Sequence, residues 1–417
     1  MQNKKFSSDL IAVAISLLIQ IPLAIFLGHY YDQTIFLQTG YLVNEGLDPY
    51  QPHPVSVFTS FHLNGVNNVI GYPPIWPFLL GLTYHLTYNL TSNLFFYNFA
   101  TKLPIIASNI ALAYVTKQFM IKQNLPKRAV NAAWLILLFN PFTLLTTTAW
   151  GQFDTFIALL CVSAIYHLSM GSTGKSAFLL ALSVVLKPIS FALLGLPLLF
   201  SSSRKKSIIS ILIVTDVILL GVLPAYLLGW NLPLSSDQAS SFFRMAGGLT
   251  LFSAVEPLAG SSDLPVGLAF LGYLWIPALV FGYYWLYRYP PKNTYELVRS
   301  AVFLLLIFFL TRSWVSEPNL NLLLPLLLIM YGYGKISSRL LHLTWIIPLV
   351  FIFLNNAFPQ LLFLVYPPVI SELGIIDLQF GATRFAARFA VSVLWYIMAV
   401  KVLLIIMKRN NGGPCCS

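Results

Sequence analysis

The 417-residue chain is 58% hydrophobic and only 9% charged, against about 25% charged residues in an ordinary soluble protein. So little polar surface excludes a water-soluble globule and makes the bilayer the solvent. The net charge of +11 then belongs to cytoplasmic loops and not to a nucleic-acid surface. Cys161, Cys415 and Cys416 give neither a disulfide framework nor a metal spacing.

In chain order, the apolar run 10–28 follows Lys4 and Lys5 and is long enough to span. It lacks a small-residue cleavage site, which predicts an uncleaved signal anchor. Directly after it comes HYYDQTIFLQTGYLVNEGLDPYQP, residues 29–52, with Asp32, Glu45 and Asp48 and no lysine or arginine. Further apolar runs predict spans near 95–116, 129–149, 154–170, 207–229, 264–287, 300–316, 318–334, 340–356 and 386–407. The stretch 72–90 opens with Tyr72-Pro73-Pro74 and carries Tyr84, His85 and Tyr88, so it is predicted to lie at the interface. The stretch 177–200 is interrupted at Lys187-Pro188 into halves too short to span alone, which predicts a broken or re-entrant pair.

With that arrangement one topology sorts both signs of charge. The basic groups at 4–5, 117–128, 204–206, 288–299, 335–339 and 401–409 share the cytoplasmic side, and the carboxylates other than Asp9, Asp216 and Glu296 lie opposite them. The expected fold is therefore an all-α polytopic membrane protein with about ten full spans, a broken pair and interfacial helices in the first outer loop. It is one domain over 1–417, with 29–94 as the first outer loop and 230–263 as an outer loop able to serve as a lid.

Glu45 and Asp48 read as ordinary loop carboxylates. Asp32 differs, because it lies within a turn of the membrane surface among Tyr30, Tyr31 and the apolar end of the first span. A carboxylate so placed is suited to act as a general base. Its surroundings, Asp32, Phe36, Gly46, Pro49-Tyr50 and Tyr72-Pro73-Pro74, resemble the first luminal loop of the GT-C membrane glycosyltransferases. The sequence is most similar to the mannosyltransferases that add the first mannose of GPI anchors and to prokaryotic relatives using polyprenyl-phosphate-mannose. Asp32 stands at the second aspartate of that family's pair. Tyr30 replaces the first aspartate and Gln33 the following tyrosine, so a divalent metal is left open and no metal ligand is assigned. Residues 150–160, WGQFDTFIALL, with ALSVVLKP at 181–188, and residues 308–327 resemble later segments of the same group.

The resemblance implies transfer of a sugar from a lipid phosphate to a hydroxyl. Such a leaving group departs as an anion, so one base suffices where a glycosidase needs two carboxylates. Asp32 is the expected base. Asp154 is the alternative, although a carboxylate at a helix start also caps free N–H groups. Trp150 and Gln152 suit a sugar ring, Trp150 equally suits interfacial anchoring, and Tyr31, Tyr50 and Tyr72 are further candidates for the substrate site. The cations outside the cytoplasmic set are Lys102, Lys187, Arg244, Arg312, Arg384 and Arg388. Lys187 and Arg244 rank first for the phosphate, because a charge at membrane depth should face a cavity and bind something. Arg384 and Arg388 come next, or simply snorkel. Arg312 and Glu317 read as a salt bridge or as ligand contacts, and Asp216, inside a span, as a partner of Lys187 or part of a proton path. His29 and His53 share the outer loop and offer phosphate contacts.

The expected partners are a dolichyl- or polyprenyl-phosphate sugar, a glycolipid or lipid-linked glycan acceptor, membrane lipid and, beyond these, a small membrane subunit. Nucleic acid is not a partner. The expected location is an endoplasmic reticulum membrane or a prokaryotic plasma membrane, with the site facing away from the cytoplasm. A secondary transporter or lipid flippase is the rival reading, on the span count, the broken helix and Asp216.

Overall fold

No charged side chain interrupts the chain from Leu10 to Phe26, and this segment continues as helix α1, Gln2–Phe26. The computed structural model describes residues 2–58, 63, 65–201, 203–232, 245–255, 264–355 and 357–408. The helices of nine residues or more that follow α1 are α2 Tyr30–Asn44, α3 Ile75–Leu86, α4 Leu94–Lys122, α5 Lys127–Phe139, α6 Asp154–Ser169 and α7 Thr173–Leu186. The chain continues with α8 Arg204–Leu227, α9 Trp275–Arg288, α10 Thr294–Thr311, α11 Leu324–Gly332, α12 Ser338–Leu354 and α13 Val369–Met407. Among the described residues the only strands form two minimal pairs. Pro54–Val55 runs antiparallel to Gly65–Val66, and Gly247–Gly248 runs parallel to Trp314–Val315.

Seven helices are long and apolar enough to cross a membrane. They coincide with the expected spans at 10–28, 95–116, 129–149, 207–229, 264–287, 300–316 and 386–407. The fold is an all-α polytopic membrane fold. The expected spans 154–170 and 340–356 fall on α6 and α12, of 16 and 17 residues. The expected span 318–334 is divided into a 3-10 turn, Glu317–Leu322, and the nine-residue α11. Pro325, at the start of α11, has no N–H to carry an α-helical bond back to Asn321, and the Asn321 amide donates to the Pro318 carbonyl and to Thr146 Oγ1, both at 2.9 Å.

Exposure separates the helices into an inner and an outer layer. The spans 94–122, 127–149 and 294–311 are 56%, 61% and 61% buried, whereas 8–26, 204–227 and 266–288 are each 17% buried. The inner helices form the apolar core with α6 and α11, and the outer ones present leucine and isoleucine to the lipid. Asp9, near the start of α1, pairs with Lys117 near the end of α4 at 2.5 Å. The basic ends of these antiparallel helices therefore lie together, and α5 starts from that end and runs back.

Between α1 and α4 the described residues form no helix long enough to cross a membrane. Helix α3 has 12 residues, about 18 Å, well short of a bilayer. Helix α2 is buried from Gln33 to Gly40, because α3 covers one side and α4 another. Gly40 makes the approach possible, since a Cβ there would lie 2.0 Å from Tyr97 Oη and 2.7 Å from the Leu80 carbonyl oxygen. The break at Lys187-Pro188 is present too. Helix α7 stops at Leu186, Lys187 adopts the extended conformation that a following proline imposes, and a 3-10 turn continues over Pro188–Leu193.

Candidate active site

Helix α5 does not run smoothly into the tryptophan turn. After Phe139 the chain makes a short helix, Pro141–Leu144, and then a π-helical turn, Leu145–Ala149, a form that often marks functional sites. Side chains absorb its irregular hydrogen bonding. Thr146 and Thr147 donate back to the carbonyls of Phe142 and Thr143 at 2.8 and 2.6 Å, and Thr148 donates to Gln20 of α1 at 2.9 Å. The turn ends at Gly151, whose φ of +102° favours glycine. A Cβ at Gly151 would also stand 2.0 Å from Gln33 Oε1.

This turn delivers Trp150 to Asp32. The Trp150 Nε1–H donates to Asp32 Oδ2 at 2.6 Å, and the imidazole of His29 stacks on Trp150 with ring centres 4.0 Å apart. His29 Nδ1 lies 3.5 Å from the same carboxylate oxygen. Burial lowers the His29 imidazole to about 4, against the pull of Asp32, so it is neutral at pH 7. The Asp32 side chain keeps 22% of its surface exposed, and among the described residues the indole bond engages Oδ2 alone. Trp150, expected beside a sugar, is 4% exposed, with one ring face taken by His29 and its N–H taken by Asp32.

A second pair adjoins the first. Lys187 Nζ reaches Asp154 Oδ2 at 2.8 Å and Gln152 Oε1 at 3.0 Å, and Gln152 Oε1 also accepts from Tyr72 Oη at 3.2 Å. The ammonium lies 5.1 and 5.3 Å from the ring centres of Tyr72 and Phe153, an attractive arrangement. Asp154 is the first residue of α6, and its carboxylate binds Lys187. Lys187 does not use Asp216, which is exposed on α8, so the expected Asp216–Lys187 pairing is corrected. Asp154, at the first position of α6, lies against the break that ends α7.

Tyr50 is buried and donates to the Tyr72 carbonyl at 2.8 Å, fixing the loop that carries Tyr72. Burial raises the Tyr72 phenol, with Lys187 acting in the opposite sense and Asp32 and Asp154 adding to it. All three charges therefore bear on one hydroxyl. Tyr31 is 55% exposed at the rim.

The 3-10 turn after α10 brings Glu317 toward the same region. It is 3% exposed, accepts from Asn355 Nδ2 at 3.0 Å, and Asn355 Oδ1 accepts from Arg388 at 2.8 Å. Burial pushes the Glu317 carboxyl up to about 7, with the negative charge of Asp32 adding to the rise and Arg388 opposing it. Arg312 lies over the Phe308 ring at 5.3 Å. Arg384 donates to the Leu354 carbonyl from Nε at 3.3 Å and Nη2 at 3.1 Å, and it forms an ion pair with Asp377. Arg384 thus ties α13 to the end of α12. Arg244 and most of the expected lid at 230–263 lie outside the described residues.

One contributor was not singled out in the sequence: Asn355 relays Arg388 to Glu317. Lys102, counted among the cations outside the cytoplasmic set but not ranked for the phosphate, holds the floor beneath Asp32 and Trp150. A cation at position 102 inside the span 95–116 carried the same signal as Lys187, a charge at membrane depth.

The chain matches no family model and no curated protein. Among solved structures it is similar to the crystal structure of ArnT from Cupriavidus metallidurans bound to undecaprenyl phosphate. The two are 13% identical, with a TM-score of 0.46 over 95% of this chain and 76% of that one.

Proposed function

We propose that the protein is an inverting membrane glycosyltransferase. It takes a sugar from a polyprenyl- or dolichyl-phosphate and joins it to a hydroxyl of a glycolipid or lipid-linked glycan. The observation that carries this reading is the setting of Asp32, held on one oxygen by Trp150 at 2.6 Å, partly open, and backed by the buried Lys187–Asp154 pair.

The chemistry follows from that setting. The acceptor hydroxyl gives its proton to Asp32, and its oxygen bonds to the anomeric carbon from the face opposite the phosphate. The bond from that carbon to the phosphate oxygen breaks, and its electron pair leaves with the lipid phosphate. The leaving anion needs no proton, so a second carboxylic acid is not required. Lys187 is the cation beside this region, positioned to meet negative charge as it develops on the departing oxygen. Its pairing with Asp154 and Gln152 fixes it in place before reaction, which lowers the reorganisation needed. Tyr72, Gln152 and Tyr31 then line the sugar and phosphate side, and Glu317 with Arg388 borders the acceptor side.

Mannose is the proposed sugar, on the order Asp32, Phe36, Gly46, Pro49-Tyr50 and Tyr72-Pro73-Pro74 in the first outer loop. The non-cytoplasmic side is the proposed location of the site, because Lys117 and its basic neighbours lie at the opposite end of α4.

The test is release of polyprenyl phosphate from labelled lipid-phosphate sugars by purified protein in detergent or nanodiscs, run over several sugars. Asp32→Asn should fold and bind the donor but lose release by at least about 10²-fold, the loss expected when a positioned base is removed. Full turnover by Asp32→Asn takes Asp32 out of the mechanism. A transporter would bind the lipid and release nothing.

A further inference from the structure

Lys102 lies in the third turn of α4 with no exposed surface, and it has no carboxylate partner among the described residues. Its ammonium donates instead to two backbone carbonyls, Leu27 at 2.5 Å and Ala149 at 3.1 Å. One helical turn earlier, Asn98 donates to the carbonyls of Ala24, Ile25 and Leu27 at 2.7, 3.0 and 3.0 Å. Together these side chains satisfy the last carbonyls of α1, which have no partner within their own helix. A cation is favoured there by the helix dipole.

Capping alone does not account for the lysine. Asn98 already serves the end of α1 with a neutral amide, and a buried ammonium is costly to desolvate. What Lys102 adds is the second carbonyl. Leu27 stands two residues before His29 and Ala149 one residue before Trp150. The His29 N–H donates to the Trp150 carbonyl at 3.0 Å. The two chain segments are therefore bonded to each other directly and pinned from below through a shared donor. Gln33, one residue beyond Asp32, packs in the same floor, with its amide donating to Thr101 Oγ1 at 3.0 Å. The outcome is the register that puts Trp150 Nε1 2.6 Å from Asp32 and stacks His29 on the indole.

We propose that Lys102 is a positioning residue for Asp32. It touches no substrate; it sets the indole that holds the carboxylate, by clamping the segments that carry His29 and Trp150. The proposal rests on Asp32 as the base of the reaction above, but its geometry is measurable without turnover.

The experiment uses full-length protein labelled with 15N-tryptophan in nanodiscs. The Trp150 indole resonance is assigned by its absence in Trp150→Phe. In the wild type a short bond to a carboxylate displaces its proton downfield. Lys102→Met, which keeps an apolar stem and loses the donor, should move that resonance upfield. It should also lower kcat for donor cleavage on the order of 10²-fold, the loss that a misplacement of about 1 Å brings, with KM for the donor lipid unchanged. Asn98→Leu, which weakens the end of α1 and leaves both Lys102 bonds, should lower the melting temperature with the resonance and kcat in place. If Lys102→Met does not fold, Lys102→Gln carries the same comparison with a shorter, neutral donor. An unmoved Trp150 resonance in either folded variant overturns the proposal whatever the activity. Absent cleavage by the wild type overturns the transferase reading instead, and the indole shift still decides the positioning.

Discussion

Glu317 is a carboxyl whose protonation the fold controls outside the spanning helices. Burial raises it from an ordinary 4.5 to about 7. Between those values the folded chain holds a proton that the unfolded chain has released, so folding stability falls as pH rises through this window. The shift corresponds to roughly 3 kcal/mol between its two ends. The gain is present in full below pH 4.5 and is lost once the pH passes about 7. Glu317→Gln keeps the size and an acceptor for Asn355 but cannot ionise. Measured against the wild type at each pH in detergent, its melting temperature should rise between pH 5 and pH 8, because only the wild type loses the Glu317 contribution. A wild-type slope retained in the variant would assign the titration elsewhere. His29 tilts the other way: its imidazole is lowered to about 4, so its contribution is present above the ordinary 6.5 and fades on acidification. The Glu317 effect is therefore read as the difference between variant and wild type at each pH, in which the His29 contribution, changing between about 4 and 6.5 in both, cancels.

At the scale of elements, helix exposure decides which charges act. Helix α8 packs its Gly221 against Val185 of α7, and a Cβ there would meet Val185 at 3.1 Å. Asp216 lies on another face of α8 and is exposed with Leu212, Leu219 and Leu220. A carboxylate so placed neither pairs with Lys187 nor touches the Asp32 region. Asp216→Asn should leave donor cleavage at the wild-type rate. A large loss of cleavage would restore Asp216 to a functional path. The spans and the break at Lys187-Pro188 were legible in the sequence because they depend on local quantities: apolar length, and a proline that removes a backbone donor. The interfacial α3 was legible from its prolines and tyrosines. Residues 318–334 were not, since Asn321 finds Thr146 across a separation of 175 residues. The same holds for the site. Asp32 stood out by its place after the first span, yet nothing local says that an indole 118 residues later binds it. Lys187 was legible as a buried cation, while its choice of Asp154 over Asp216 depended on which face of α8 turns outward.

For the whole molecule the open question is the compartment, and the geometry makes it a single experiment. Helix α4 carries Asn98 and Lys102 at the Asp32 end and Lys117 and Lys122 at the other. Its 29 residues span about 44 Å, more than the hydrocarbon core of about 30 Å. The two ends must therefore emerge on opposite sides of a membrane that α4 crosses. The Asp32–Trp150 hydrogen bond places both residues in one compartment, and on the proposed topology, with the basic end cytoplasmic, that compartment is expected to be the outer one. Tyr31 is 55% exposed beside Asp32, and Lys122 is exposed at the far end. With Cys415 and Cys416 replaced by serine and Cys161 left buried, Tyr31→Cys should react with a membrane-impermeant maleimide added to intact cells or sealed vesicles of cytoplasm-inside orientation. Lys122→Cys should react only after the membrane is opened. The reverse pattern would put Asp32 on the side where nucleotide sugars are made, and the proposed need for a lipid-phosphate donor would lose its reason.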